Sequence, residues 1–162
     1  LEEAKRKGWW LVLIGFGDQG KFVSQLSTFP IQNCRAYGPI FGRAKQAVFH
    51  YANAFILPSF SEALPMSALE AMAYKLPVLL STACNLPDAF SVGAALPAEP
   101  DPASLASSLL HFFRLSSAQR KLMGAAGHTL VRQRYSSSHI ASQTKTLYSW
   151  ILEGGSRPDF VQ

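Results

Sequence analysis

The chain is short of cysteine, short of acid and free of long apolar runs, and each shortage excludes something. Its 162 residues include two cysteines, Cys34 and Cys84, which lie in apolar or turn stretches. Two such cysteines make no disulfide framework and show no metal-ligand spacing, so both read as reduced, structural residues of a cytosolic protein. There is no DxD motif and no cluster of metal ligands. The four histidines, His50, His111, His128 and His139, are scattered along helix-like segments and read as surface or core-edge residues. No apolar run approaches membrane-spanning length, and no internal repeat or low-complexity segment is visible. Ten acids against fifteen lysines and arginines leave a formal charge of +5. The basic residues are spread out, with local clusters at Lys5-Arg6-Lys7 and at Arg132 and Arg134. That balance suits anionic ligands or a membrane surface and excludes a concentrated nucleic-acid footprint.

What is present is a well-filled core. The chain is 48% hydrophobic and 15% charged, which excludes disorder, and its length is that of one domain. Short apolar runs alternate with helix-like segments. Residues 1–8 read as the tail of a helix ending at Gly8, and Trp9 to Ile14 as a strand. Lys21 to Phe29 reads as a helix stopped by Pro30, and Asn33 to Gly38 as a strand. A helix over Arg43 to Ala52 carries Ala44, Ala47, Val48 and Tyr51 on one side. Strands follow at Ala54 to Pro58 and Pro77 to Ser81, with a helix from Met66 to Tyr74 between them. Ala83 to Val92 reads as a loop and Ala94 to Leu96 as a short strand. Helices follow over Pro102 to Leu115, Ala118 to Tyr135 and Ser138 to Leu152, the second with Leu122, Ala126 and Leu130 on its apolar face. This order predicts an α/β fold with a doubly wound, mostly parallel sheet and C-terminal helices. The domain is expected to span residues 1–153, with 154–162 a loose tail.

The stretch Ser59 to Val78, SFSEALPMSALEAMAYKLPV, is the centre of this plan. Its two acids, Glu62 and Glu70, have seven residues between them. Pro65 suits a first helical turn, where its missing N–H costs nothing. The N–H groups of about residues 66 to 68 are then expected to be free and to form a partly positive end for a phosphate or a sugar oxygen. Glu62 would sit just before that end. Glu70, about one and a half turns in, could accept from the vicinal hydroxyls of a ribose. The plainer alternative is two solvated glutamates beside an ordinary helix, with Ser61 and Glu62 helping to cap it.

Gly15-Phe-Gly17-Asp-Gln-Gly20 is a literal GxGxxG after a strand and before a helix. A dinucleotide fold also needs an acid about 20 residues further on. The next strand has none, and after Asp18 the next carboxylate is Glu62. An NAD- or flavin-binding oxidoreductase domain is therefore the weaker reading.

Leu57-Pro58-Ser59, Ser61-Glu62, Leu69-Glu70-Ala71-Met72-Ala73 and Pro77-Val78 together resemble the signature of the group 1 retaining glycosyltransferases. These are GT-B enzymes that use nucleotide-sugar donors. The likeness covers roughly residues 9 to 150 and matches the C-terminal, donor-binding half. It includes the "G.G" after the first strand, and Tyr37-Gly38-Pro39-Ile40-Phe41-Gly42 with Lys45 and Tyr51-Ala52. Cys84-Asn85-Leu86-Pro87-Asp88 with Gly93 to Leu96 is similar to a bacterial variant; Asn85 and Asp88 read as turn formers.

The resemblance implies site roles. Glu62 would lie near the donor sugar hydroxyls and the reacting centre, as the catalytic residue. Glu70 would hold the ribose. Leu64, Met66 and Ser67 would offer backbone N–H groups, and Gly15, Gly17, Pro39 and Ile40 would complete the donor site, the last two against the base. Lys45 reads as a solvated helix residue rather than a diphosphate contact. No metal and no cofactor is implied. The implied partners are a nucleotide-sugar donor and an N-terminal acceptor domain, with no nucleic acid. The implied setting is the cytoplasm of a bacterium, in polysaccharide biosynthesis, with peripheral association of the parent at the inner face of a membrane as a further option.

Departures from the pattern are informative. Glu62-Ala63-Leu64-Pro65 stands where many members have "EGFG", so Pro65 removes one N–H and Ala63 restricts the backbone. Lys75 stands where glycine is common, at the helix end. The family's first strand of this domain, and the basic pair after it that neutralises the diphosphate, would fall before Leu1. The chain therefore reads as a fragment that binds donor weakly and transfers nothing alone. A non-catalytic module that keeps the fold as an interaction surface is the third reading.

Overall fold

A computed structural model describes residues 8–16 and 33–161. The helix expected over Lys21 to Phe29, the helix tail before Gly8, the Lys5-Arg6-Lys7 cluster and Gly17 lie outside the described residues.

Strand β1 (Leu11–Ile14) pairs in parallel with β2 (Cys34–Tyr37), Leu11 opposite Cys34 and Ile14 opposite Tyr37. Helix α1 (Gly42–Tyr51) follows. A second parallel sheet has the order β3 (Phe55–Leu57), β4 (Val78–Leu80), β5 (Ala95–Pro97). Parallel neighbours need a crossover, and α2 (Met66–Ala73) supplies the one between β3 and β4. Between β4 and β5 the expected loop contains a 3-10 turn (Thr82–Cys84) and the short helix α3 (Pro87–Ser91). Three longer elements close the chain: α4 (Pro102–Arg114), α5 (Ser117–Leu130) running into a π-helical turn (Val131–Tyr135), and α6 (Ser137–Glu153). Their starts are written locally. Asp101 caps α4 by accepting from the N–H of Ala103 and Ser104, and Ser116 and Gln119 form a reciprocal capping box on α5.

β4 is fully buried, and its alternation divides the core. Val78 and Leu80 face α2, packing with Ala68, Leu69, Ala71 and Met72, and with Phe49 of α1 and Leu130 of α5. Leu79 faces the other way, onto Phe112 and Ala98, with Trp9, Leu105 and Phe113 around them. Helices therefore cover both faces, which is why this strand is an unbroken apolar run.

Two expected faces are corrected. On α1 the buried residue is Phe49, with Lys45 and Ala52 on the same stripe; Ala44, Ala47, Val48 and Tyr51 are exposed. On α5 Leu130 is buried and Ala126 half-buried as expected, but Leu122 is 70% exposed, and Gly124 and Gly127 are the other buried residues. Glycine is required at position 124. A Cβ on Gly124 would lie 1.9 Å from the carbonyl oxygen of Lys75, and one on Gly127 would lie 3.0 Å from Met72 Cγ.

That carbonyl belongs to the cap of α2. The N–H of Leu76 donates to Ala71 O at 3.1 Å and that of Lys75 to Met72 O at 2.9 Å, a Schellman motif. Lys75 adopts φ 61°, the left-handed region that favours glycine. Gly124→Ala is expected to destabilise the chain by about 1–3 kcal/mol through overpacking against backbone, read as a lowered urea midpoint. Lys75→Gly, which relieves the left-handed conformation, is expected to stabilise the chain by up to about 1 kcal/mol, read as a raised midpoint in the same assay.

Candidate functional site

The site is assembled from the loops that leave the carboxyl ends of the parallel strands. The loop after β3 carries Glu62 and leads into α2, which carries Glu70. The loop after β4 braces it. Buried Ser81 donates through Oγ to Ser59 O at 2.5 Å, and the N–H of Glu62 donates to Ala83 O at 3.0 Å. Asn85 Nδ2 donates to Ala63 O at 3.4 Å, and Cys84 Sγ donates to Leu57 O at 3.4 Å. The loop after β5 joins in, because Thr82 N–H donates to Glu99 Oε1 at 3.0 Å. Within this frame Ser59 Oγ lies 3.0 Å from Glu62 Oε1, as donor, and 3.2 Å from Ser61 O. Glu62 is half-buried, and it does not cap α2: no side chain does.

The start of α2 differs from the expected row of free donors. Pro65, at φ −78° and ψ 79°, centres an inverse γ-turn in which Met66 N–H donates to Leu64 O at 2.9 Å. Ala68 N–H donates to Pro65 O. Among the described residues, the N–H groups of Leu64 and Ser67 have no acceptor. The proline thus changes the donor set in two ways: it removes its own N–H and engages that of Met66.

Glu70 is not solvated alone. Lys45 Nζ of α1 lies 2.5 Å from its Oε2, so Lys45 is corrected from a solvated helix residue to one half of an ion pair. Gly15 closes β1 and gives its N–H to Tyr37 O at 3.3 Å, while Pro39 is exposed and Ile40 half-buried after β2. β1 and β2 are parallel, so Gly15, Pro39 and Ile40 share one sheet edge.

Asn85 makes the turn as expected, in the left-handed region at φ 52°. Asp88 does more: its carboxylate binds Arg134 Nη1 at 2.6 Å, tying α3 to the π-helical turn. Tyr135 Oη is 3.5 Å from the same oxygen. Burial first, then the Asp88 carboxylate, push the Tyr135 hydroxyl above its ordinary range, with Arg134 opposing. Burial likewise raises the Cys34 thiol, against Arg35. Both cysteines are free and buried.

The family description "Glycosyl transferases group 1" matches residues 1–128, so the chain belongs to that family. The fold is that of the Rossmann-like half of a GT-B glycosyltransferase, the class to which its structural neighbours belong. Sucrose-phosphate synthase from Thermosynechococcus elongatus is similar at TM-score 0.70 and 17% identity, over 95% of this chain and 49% of that one. The C-terminal domain of a glycosyl transferase group 1 family protein (LpcC) from Francisella tularensis gives TM-score 0.66 and 21% identity, over 84% of this chain and 77% of that one. WaaG, a glycosyltransferase involved in lipopolysaccharide biosynthesis, gives 0.66 and 17%, over 90% and 38%. The chain thus spans about half or less of two of these three structures. No curated protein sequence matches it.

Ser81, Glu99 and Lys45 are the contributors that sequence reasoning missed. Each acts on a residue distant in the chain, and a serine after a strand or a lysine on a helix carries no local mark of that. Removing the Ser81 hydroxyl strands the Ser59 carbonyl beside the loop that aims Glu62. Ser81→Ala is expected to cost about 1–3 kcal/mol, measured by chemical denaturation, and to shift the amide signals of Ser59 and Glu62 in NMR spectra.

Proposed function

We propose that the chain is the donor-binding domain of a retaining glycosyltransferase, in which a sugar passes from a nucleoside diphosphate to an acceptor hydroxyl with its anomeric configuration kept. The carrying observation is that Glu62 and Glu70 flank the start of α2 at the carboxyl edge of a parallel sheet, within the family-matched stretch. Crevices at such edges are where α/β sheets bind ligands. In this reading Glu70 accepts from the ribose hydroxyls and Glu62 meets the sugar near the reacting carbon. The N–H groups of Leu64 and Ser67 meet sugar or phosphate oxygens, and Met66 contributes its exposed side chain, its N–H being engaged. Gly15, Gly17, Pro39 and Ile40 line the nucleoside end. Charge growing on the departing diphosphate is met by helix N–H donors and by basic groups, without a metal or cofactor.

The remainder of the proposal concerns the parent enzyme. Its acceptor domain is N-terminal, the transferred group is a hexose, and the present domain alone binds donor weakly and transfers nothing. Residues 1–153 form the donor domain and 154–162 its tail. The likeness to WaaG supports a role in bacterial polysaccharide synthesis, with the enzyme in the cytoplasm and resting on the inner face of a membrane. Among the described residues no helix is long and apolar enough to cross one. The dinucleotide reading gains nothing from the structure: β2, Cys-Arg-Ala-Tyr, carries no acid beside β1.

UDP, GDP and ADP binding to the unaltered chain and to Glu70→Ala tests the site. Saturable binding of one nucleotide is expected, weakened about tenfold or more in Glu70→Ala, as for loss of hydrogen bonds to a charged group, with the unfolding midpoint retained. Equal binding by both proteins would overturn the ribose role.

A further inference from the structure

Lys45 stands against Glu70 in a way that fixes the carboxylate. It shares the inward stripe of α1 with Phe49, one helical turn on, and its ammonium lies 6.0 Å from the Phe49 ring centre. Phe49 is itself held, stacked on Tyr74 at 5.6 Å and packed on Phe55 at 6.1 Å. From this floor Nζ reaches to 2.5 Å from Glu70 Oε2. Oε2 is buried and has no hydrogen bond of good geometry, so the contact is one of charge. The Glu70 side chain nevertheless remains 38% exposed, and its other oxygen, Oε1, has no partner among the described residues. Among the described residues, one carboxylate oxygen is therefore occupied and the other has no partner, with lone pairs for two donors.

We propose that Lys45 is the positioning residue of this site: by holding Oε2 it presents Oε1 alone, in one orientation, to the ligand, and so makes the site select a vicinal diol over its 2′-deoxy counterpart. This rests on the donor-site reading above. A carboxylate without the lysine would turn freely, and water would occupy both oxygens. Lysine suits the task because it is a point charge that leaves the second oxygen uncovered, where the guanidinium fork of arginine tends to take both.

The test is NMR titration, to millimolar concentration, with the best-bound nucleoside diphosphate, its 2′-deoxy form and its monophosphate. The proteins are the unaltered chain, Lys45→Met, Lys45→Arg and Glu70→Ala. The unaltered chain is expected to prefer ribose to 2′-deoxyribose by about tenfold, the worth of one charge-assisted hydrogen bond. Lys45→Met is expected to lose that preference, Lys45→Arg to restore part of it, and Lys45→Met to weaken mono- and diphosphate alike. A folded Lys45→Met that keeps the preference would overturn the proposal. So would a loss confined to the diphosphate, which would make Lys45 an anion contact. If Lys45→Met unfolds, Lys45→Gln, which keeps much of the stem and loses the charge, is read the same way. The parent reading fails separately, if the unaltered chain binds no nucleotide or if Glu70→Ala keeps the ribose preference.

Discussion

A strand buried on both faces must be met by an apolar layer on each, and β4 imposes that demand on the whole chain. Val78 and Leu80 call for α2, with α1 and α5 behind it; Leu79 calls for α4 and the Trp9 corner. Once those layers are in place, β3 and β5 are fixed beside β4 in parallel register, and their carboxyl ends emerge at one edge. The site follows from that arrangement. The loop after β4 is the middle one of three, so hydrogen bonds donated by Ser81, Thr82 and Asn85, and one accepted by Ala83, can hold the loop bearing Glu62 on one side and Glu99 on the other.

The two acids are held by different means. Glu62 is positioned through the backbone, its N–H tied to Ala83 and its side chain accepting from Ser59. Glu70 is positioned by charge, through a lysine on a neighbouring helix. The first arrangement rests on short-range hydrogen bonds from and to uncharged partners. The second is half-open to solvent and weakens as ionic strength rises.

Much of this was legible in the chain itself, for identifiable reasons. β3, α2 and β4 are announced by apolar runs, a proline at a helix start and the spacing of two glutamates, all local features. α3 reads as a loop in the sequence because a five-residue helix has no full period to display. On α5 Ala126 and Leu130 lie inward as their spacing suggests, but Leu122 does not, because the closest contact is an approach that demands glycine at 124 and an apolar count gives no sign of it. On α1 the lysine disguised the inward stripe, since a charge at position 45 looks like solvent exposure until its partner 25 residues away is known. The engaged N–H of Met66 has no mark in the sequence, since a proline that suits a helix start can also centre a γ-turn.

The contact between the end of α2 and Gly124 limits how this domain can be shuffled. Two segments roughly fifty positions apart share one clearance: a carbonyl on one and a missing methyl group on the other. Every residue at position 75 brings that carbonyl, so the constraint on shuffling falls on position 124: in a chimera, whichever parent supplies the fifth helix must bring glycine there, or a methyl group meets the backbone at the end of the glutamate-bearing helix.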